Sequence, residues 1–368
     1  MHLYIHVPFC ARRCSYCDFA IAVRRETPSA AFVDTIEREW AGWQSHPAWQ
    51  LAPALDTVYF GGGTPSRLPP EAIARLLVAF RRDRALSPGA EVTLEANPDD
   101  VDEPRAAAWR AAGVNRISLG AQSFQPAVLE WMHRTHSAPQ IDDAVATLRA
   151  AGFGNISLDL IYAVPEALGR DWAVDLARAI ALAPEHLSLY GLTVETHTPL
   201  GKWTARGESL PAADDRAADE YLLAHQRLIA AGFEHYEVSN AGRPGFQARH
   251  NSAYWRRAPF IGLGPSAHSG FGVERAWNVR DWEEYRRRIA SGRTVREESE
   301  VLTPDQVDLE QLYLGLRTQA GLRSALVPAS TAARWVAAGW AVERSGRLAL
   351  TPEGWLRLDA LVASLSRC

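Results

Sequence analysis

The stretch Tyr4-Ile5-His6-Val7-Pro8-Phe9-Cys10, continued by Cys14, Tyr16 and Cys17, decides how this chain reads. Leu3 to Val7 is a β-rich run, and the three thiols fall on the loop directly after it. Four cysteines in 368 residues cannot build a disulfide framework, and three of them crowded into eight residues point to a metal. Cys-x3-Cys-x2-Cys suits one face of an iron–sulfur cube whose fourth iron has no protein ligand and can bind substrate. The alternative is structural zinc completed by His6 or His2. Zinc loops usually pair Cys-x2-Cys with a second, distant pair, and the remaining cysteine, Cys368, stands alone.

Outward from that loop, short β-rich runs alternate with helical stretches to about residue 240. The runs are 3–7, 57–60, 91–95, 116–119, 156–161, 186–190 and 235–238; the helical stretches are 29–43, 70–82, 103–112, 140–151, 172–183 and 213–231. Gly113, Gly152 and Gly232 sit where helix C-caps are needed. The expected fold class is α/β, with a parallel sheet either open or closed into a full or partial barrel. Gly61-Gly62-Gly63-Thr64-Pro65 follows the second run, and a triple glycine at a strand end is costly unless something approaches closely. Glu95 with Asn97, Gln122, Asp159 and Tyr190-Gly191 stand at or just beyond the C-terminal ends of successive runs, the rim where β/α barrels build ligand sites.

Residues 241–300 carry Gly242, Pro244, Gly245, Pro259, Gly262, Gly264 and Pro265 among aromatics and read as loops over the main domain, closing in a charged linker at 294–300. A third unit spans 301–368. Thr303-Pro304-Asp305-Gln306 is a helix start with a capping box, and Leu309, Leu312 and Leu316 share one face. A second helix ending before Gly339, a hairpin turning at Ser345-Gly346 and a last helix capped by Thr351-Pro352 resemble a winged-helix module. Its balanced charge, and a whole-chain net charge of −4, argue against nucleic acid as partner. With no apolar run long enough to span a bilayer and no leader-like start, the expectation is a cytoplasmic protein without an integral membrane segment.

Cys-x3-Cys-x2-Cys with Tyr16 before the last cysteine resembles the signature of the radical S-adenosylmethionine superfamily, and Gly61 to Pro65 is similar to the segment that receives the methionyl amino group there. Taken with Gly120-Ala121-Gln122-Ser123-Phe124, Asp159-Leu160-Ile161-Tyr162 and Gly262-Leu263-Gly264-Pro265-Ser266-Ala267, nearly the whole chain resembles the oxygen-independent coproporphyrinogen oxidase family. The resemblance implies a partial (β/α) barrel and a [4Fe–4S] cluster on Cys10, Cys14 and Cys17. It also implies S-adenosylmethionine held by Tyr4, Tyr16, Gly62, Gly63, Thr64, Glu95, Gln122, Arg134, Asp159 and Gly191.

Two departures matter: oxidases have a further cysteine where this chain has Phe19, and a longer segment ahead of the cluster loop. Both features, and His250-Asn251-Ser252-Ala253-Tyr254-Trp255, instead resemble the HemW-type haem chaperones. That likeness implies haem as ligand, with His250 as axial candidate and Tyr254 and Trp255 as walls. It further implies an electron donor and delivery to apo-haemoproteins, those of the respiratory chain included, with peripheral contact at a membrane. Coproporphyrinogen III oxidation is the enzymatic alternative.

Overall fold

The structure is a computed structural model that describes residues 1–51 and 53–365; Cys368 lies outside the described residues. Six strands, β1 (His2–Val7), β2 (Leu55–Gly62), β3 (Leu86–Ala96), β4 (Arg116–Gln122), β5 (Ile156–Tyr162) and β6 (His186–Gly191), stand side by side in chain order. All are parallel. Helices Ser29–Trp43, Pro70–Asp83, Glu103–Ala112, Ala138–Ala150 and Trp172–Ala181 connect them. Gly113, at φ 102°, closes its helix in the left-handed conformation that a side chain resists.

Each strand alternates, but the apolar residues face outward. Leu3, Ile5, Val58, Phe60, Val92, Leu94, Ile117, Leu119, Leu158, Leu160, Leu187 and Leu189 pack with helix residues such as Phe32, Trp40, Leu76, Phe80 and Trp109 in one core. Each such side chain contributes about 1.5–3 kcal/mol on burial, so the helix–sheet layer holds the fold. The intervening residues, His2, Thr57, Glu91, Thr93, Arg116, Ser118, Ser157, His186 and Ser188, are equally buried and polar. The sheet therefore curls around a polar interior, which is stable only where its groups find hydrogen-bond partners.

Residues 241–300 differ from the expected loops. Phe260–Leu263 pairs parallel with β1, and His268–Phe271, Glu274–Asn278 and Arg296–Val301 continue the same sheet antiparallel. The glycines that suggested loops serve close packing: a Cβ on Gly262 would lie 2.0 Å from the His268 carbonyl oxygen, and one on Gly264 2.5 Å from that of His6. The expected linker is the sheet's last strand, whose exposed charges discourage edge-to-edge pairing. At the opposite end Asn240–Gly242 and Glu234–Glu237 cover the outer edge of β6.

The capping box at Thr303 and Gln306 forms and opens helix Pro304–Leu316, of which Leu316 is buried while Leu309 is 39% exposed. The terminal helix expected after Thr351 is broken into Pro352–Trp355 and Leu358–Leu365. With helix Ala329–Ala337 and a three-stranded sheet they enclose a second core around Leu316, Trp335, Leu348, Trp355 and Leu361. Tyr221 of the barrel joins that core, and Glu237, fully buried, pairs with Arg317 at 2.9 Å across the seam. No described helix is long and apolar enough to cross a membrane.

Candidate functional site

A cavity of about 520 Å³ opens at the C-terminal ends of the strands. Every barrel strand from β2 to β6 contributes: Tyr59 and Gly62 from β2, Glu95 from β3, Gln122 from β4, Asp159 from β5, Tyr190 and Gly191 from β6. The cysteine loop closes one side with Cys10, Cys14, Tyr16 and Cys17, and Arg134 enters from the segment after β4. Parallel strands joined by helices end on the same side of the sheet, so residues as far apart in sequence as Cys10 and Gly191 converge there.

Two of the three thiols have side-chain donors aimed at them. Thr64 Oγ1 donates to Cys10 Sγ at 3.4 Å and Arg134 Nη1 to Cys14 Sγ at 3.6 Å. Arg134 is fixed by bonds from Nη2 to Asn97 Oδ1 (2.6 Å) and to the Gly120 carbonyl (3.0 Å), while its buried Nε has no partner among the described residues. Burial pushes the Cys17 thiol up to about 11 and raises Cys10 as well. Without a metal these groups are neutral thiols at physiological pH, and metal binding must displace their protons.

Two of the carboxyl groups that border the cavity stand on barrel strands. Glu95 accepts from Tyr59 Oη (2.8 Å) and from the Gly62 amide (3.0 Å), and burial pushes it up to about 7. Asp159 accepts from Ser118 at 3.0 Å and is likewise raised by burial. The glycine triplet is demanded by the chain's own packing. A Cβ on Gly62 would lie 2.7 Å from the His6 ring, and one on Gly63 2.8 Å from the Pro8 backbone.

The donor set fits an iron–sulfur cube better than zinc. His6, which would complete a zinc site, has both ring nitrogens engaged, with Tyr4 Oη at 3.2 Å and the Ala20 carbonyl at 2.8 Å. His2 bonds Thr57 Oγ1 at 2.9 Å. Cys10, Cys14 and Cys17 are set around the wall of one cavity, and neither His6 nor His2 lines it.

Of the residues that the family likeness puts around S-adenosylmethionine, Tyr16, Gly62, Gly63, Thr64, Glu95, Gln122, Arg134, Asp159 and Gly191 all line this cavity. Tyr4 does not. It lies behind the wall, its hydroxyl turned to His6 and its ring stacked on Tyr59 at 6.0 Å. Tyr59, Ser118 and His133 also line the cavity and escaped the sequence reading. The first two continue the inward phase of their strands, a period-two signal legible in Ile117-Ser118-Leu119.

The structure does not bring His250, Tyr254 and Trp255 to a haem-sized opening. His250 opens helix Arg249–Trp255, which plugs the opposite, N-terminal end of the barrel. Its Nδ1 bonds Thr57 Oγ1 at 2.6 Å, its Nε2 bonds Tyr254 Oη at 2.7 Å, and only 1% of it is exposed. Burial, with His2 nearby, holds its pKa well below the usual imidazole range. Glu91 accepts from the Arg249 and His250 amides at 3.1 and 3.0 Å, supplying the cap that Ala248 cannot. Trp255 is covered by the Arg317 guanidinium, 4.3 Å from its ring centre. With both imidazole nitrogens used, this histidine offers no lone pair to an iron in this arrangement.

The sequence model of the Radical SAM superfamily matches residues 4–179. Haem chaperone HemW from Mycobacterium tuberculosis is 38% identical over 99% of this chain and 94% of its own length, and that from Synechocystis sp. 38% identical over 88% and 80%. Among solved structures, coproporphyrinogen III oxidase (HemN) from Escherichia coli superposes with a TM-score of 0.80 over 99% of this chain and 89% of that one, at 21% identity. That likeness establishes the barrel and its C-terminal module as one shared fold. Identity on this scale along almost the full length of both chains settles descent: the chain belongs to the HemW family of the radical S-adenosylmethionine superfamily.

Proposed function

We propose that this protein is a cytoplasmic haem chaperone, which takes haem as cargo, carries a [4Fe–4S] cluster and S-adenosylmethionine, and passes haem to apo-haemoproteins. The observation that carries the reading is the convergence of three thiols, two carboxyl groups and an anchored arginine on one cavity, in a chain whose relatives bear the name haem chaperone. Cys10, Cys14 and Cys17 hold the cluster, with Thr64 and Arg134 donating to its sulfur ligands. Glu95, Gln122, Asp159 and Gly191 orient S-adenosylmethionine against it. When both are bound, the cluster can supply an electron to the sulfonium and so control a radical or a conformational step. The chain's own groups bind, orient and exclude water. Haem acceptors of the respiratory chain, an electron donor and peripheral contact with a membrane belong to the same proposal.

Coproporphyrinogen oxidation has less support, because Phe19, 63% exposed at the cavity's lip, stands where the oxidase pattern has cysteine. The test is anaerobic reconstitution followed by parallel assays of iron and labile sulfide, S-adenosylmethionine binding, haem transfer to an apo-haemoprotein, and coproporphyrinogen III decarboxylation. Haem transfer without decarboxylation is expected. Decarboxylation at an oxidase's rate, or stoichiometric zinc without sulfide, would overturn the proposal.

A further inference from the structure

The geometry points to the lip of the cavity as the place where haem docks, with His133 as its axial ligand; this rests on the haem-chaperone reading above. A haem site needs an imidazole with an unengaged nitrogen, flat apolar walls and a cation for the propionates. His250 fails the first requirement, since both its nitrogens are hydrogen-bonded.

His133 meets it. It is the one histidine among the described residues lining the large cavity, it is half-buried, and no hydrogen bond engages either ring nitrogen. Its backbone is held at φ 57°, a left-handed conformation that costs a non-glycine residue about 1 kcal/mol or more. Bonds from its amide to the Glu130 carbonyl and from the Arg134 amide to the Leu129 carbonyl, both 2.9 Å, hold it there. The imidazole lines the cavity beside Arg134, whose guanidinium reaches the cysteine loop.

Trp203 and Trp131 pack behind His133, and an apolar ring and a cation stand with it on the lip. Trp203 meets the His133 ring edge-on at 5.5 Å, and Trp131 stands 6.1 Å beyond it. Phe19 lines the cavity with most of its ring in solvent, an exposure that costs transfer free energy unless a ligand covers it. Arg12, exposed at the same rim, has no ion pair or hydrogen-bond partner among the described residues and is available to a propionate. Docked across the mouth, haem leaves Glu95, Asp159 and the glycines to the smaller ligand inside. The two therefore bind together, and haem covers the radical-generating centre.

The test is a ferric haem titration of the reconstituted full chain, followed at the Soret band, comparing wild type, His133→Asn and the double variant Arg12→Ala/Phe19→Ser. Asn tolerates the left-handed backbone but is a poor iron ligand. We expect His133→Asn to weaken haem at least tenfold and shift the Soret band, to regain the wild-type spectrum with free imidazole, and to keep its cluster iron and S-adenosylmethionine affinity. The double variant should weaken haem about threefold or more with the same cluster content. If wild type binds haem and His133→Asn binds it with unchanged affinity and spectrum, this assignment is wrong while the chaperone reading stands. Should His133→Asn lose its cluster, unchanged haem affinity of the double variant overturns the lip site. If wild type takes up no haem, the chaperone reading itself fails.

Discussion

The two ends of the barrel interior are built from the same materials and behave oppositely. At the N-terminal end His250, Thr57, His2 and Glu91 form one hydrogen-bonded cluster and His186, Ser157 and Tyr236 another, in which imidazole and carboxylate groups meet partners from the chain itself. At the C-terminal end Cys10, Cys17, Glu95, Asp159, His133 and Arg12 border a cavity and keep donors, acceptors or lone pairs free. Residue type does not separate the two. What separates them is access to a cavity: with Thr93 Oγ1 and Arg116 Nε the exceptions, the polar layer at the base is paired within the chain and is a plug, while the one at the rim faces open space and is a site.

The sharpest way to break this contrast is at the thiols. Cys10→Ser, Cys14→Ser or Cys17→Ser should each abolish the brown chromophore of anaerobically reconstituted protein, measured by absorbance and iron content, because three ligands leave none to spare. A single variant retaining full iron would show that the cysteine end is not a three-ligand site.

Next comes the plug. His250→Ala removes the partner of both Thr57 and Tyr254 in a buried layer, and should cost about 3 kcal/mol, lowering the apparent melting temperature by roughly 4 °C. His133→Asn, made where nothing is hydrogen-bonded to the ring, should stay within about 1 kcal/mol of wild type. Reversal of that order in a thermal melt would mean that the plug and the site have been confused.

A smaller effect is a pH dependence at the open end. Glu95 is pushed up to about 7 from 4.5 in the folded chain, so the folded state binds its proton more tightly than the unfolded state between those values. Its stabilising contribution is thus complete below about pH 4.5 and is lost as pH rises through 7. Relative to Glu95→Gln, the cluster-free wild type should lose about 1–2 kcal/mol across that window, less than the full shift because the carboxyl group borders a water-accessible cavity. Parallel melts at pH 5 and pH 8 would show it, and equal differences at both would place Glu95 in an ordinary solvated environment. The smallest effect is at Phe19: Phe19→Ser, already mostly in solvent, should change stability by less than about 0.5 kcal/mol in the same melts. A larger loss would mean the ring is packing rather than waiting for a ligand.

Much of this was legible in the sequence because it is local. Strand runs, helix starts such as the Thr303 capping box and the C-capping Gly113 follow from a few neighbouring residues. The cysteine loop and the rim residues were legible because a parallel β/α chain places strand ends on one side. His250 was not, because what decides its role is Thr57, 193 residues away, and Glu91, 159 residues away. Tyr4 lies behind Tyr59, a neighbour across the sheet that no local pattern around Tyr4 announces. The strands in 260–271 were hidden because glycine signals a turn and a close backbone approach with the same letter, and only the Cβ distances tell them apart.

The pairing of β1 with Phe260–Leu263 has a consequence for how the protein can be made and cut. β1 leaves the ribosome before the other strands of its sheet, yet its outer edge stays open until residue 263 arrives, because its other neighbour there is the last parallel strand to be synthesised. During that interval an apolar strand carries a row of unsatisfied amides and carbonyls, the template on which chains aggregate. A fragment ending near residue 242 would keep that exposed edge permanently and also lack the helix that corks the barrel base. The protein is therefore poorly suited to trimming down to its superfamily core, and soluble expression should demand the chain at least through the sheet's far hairpins.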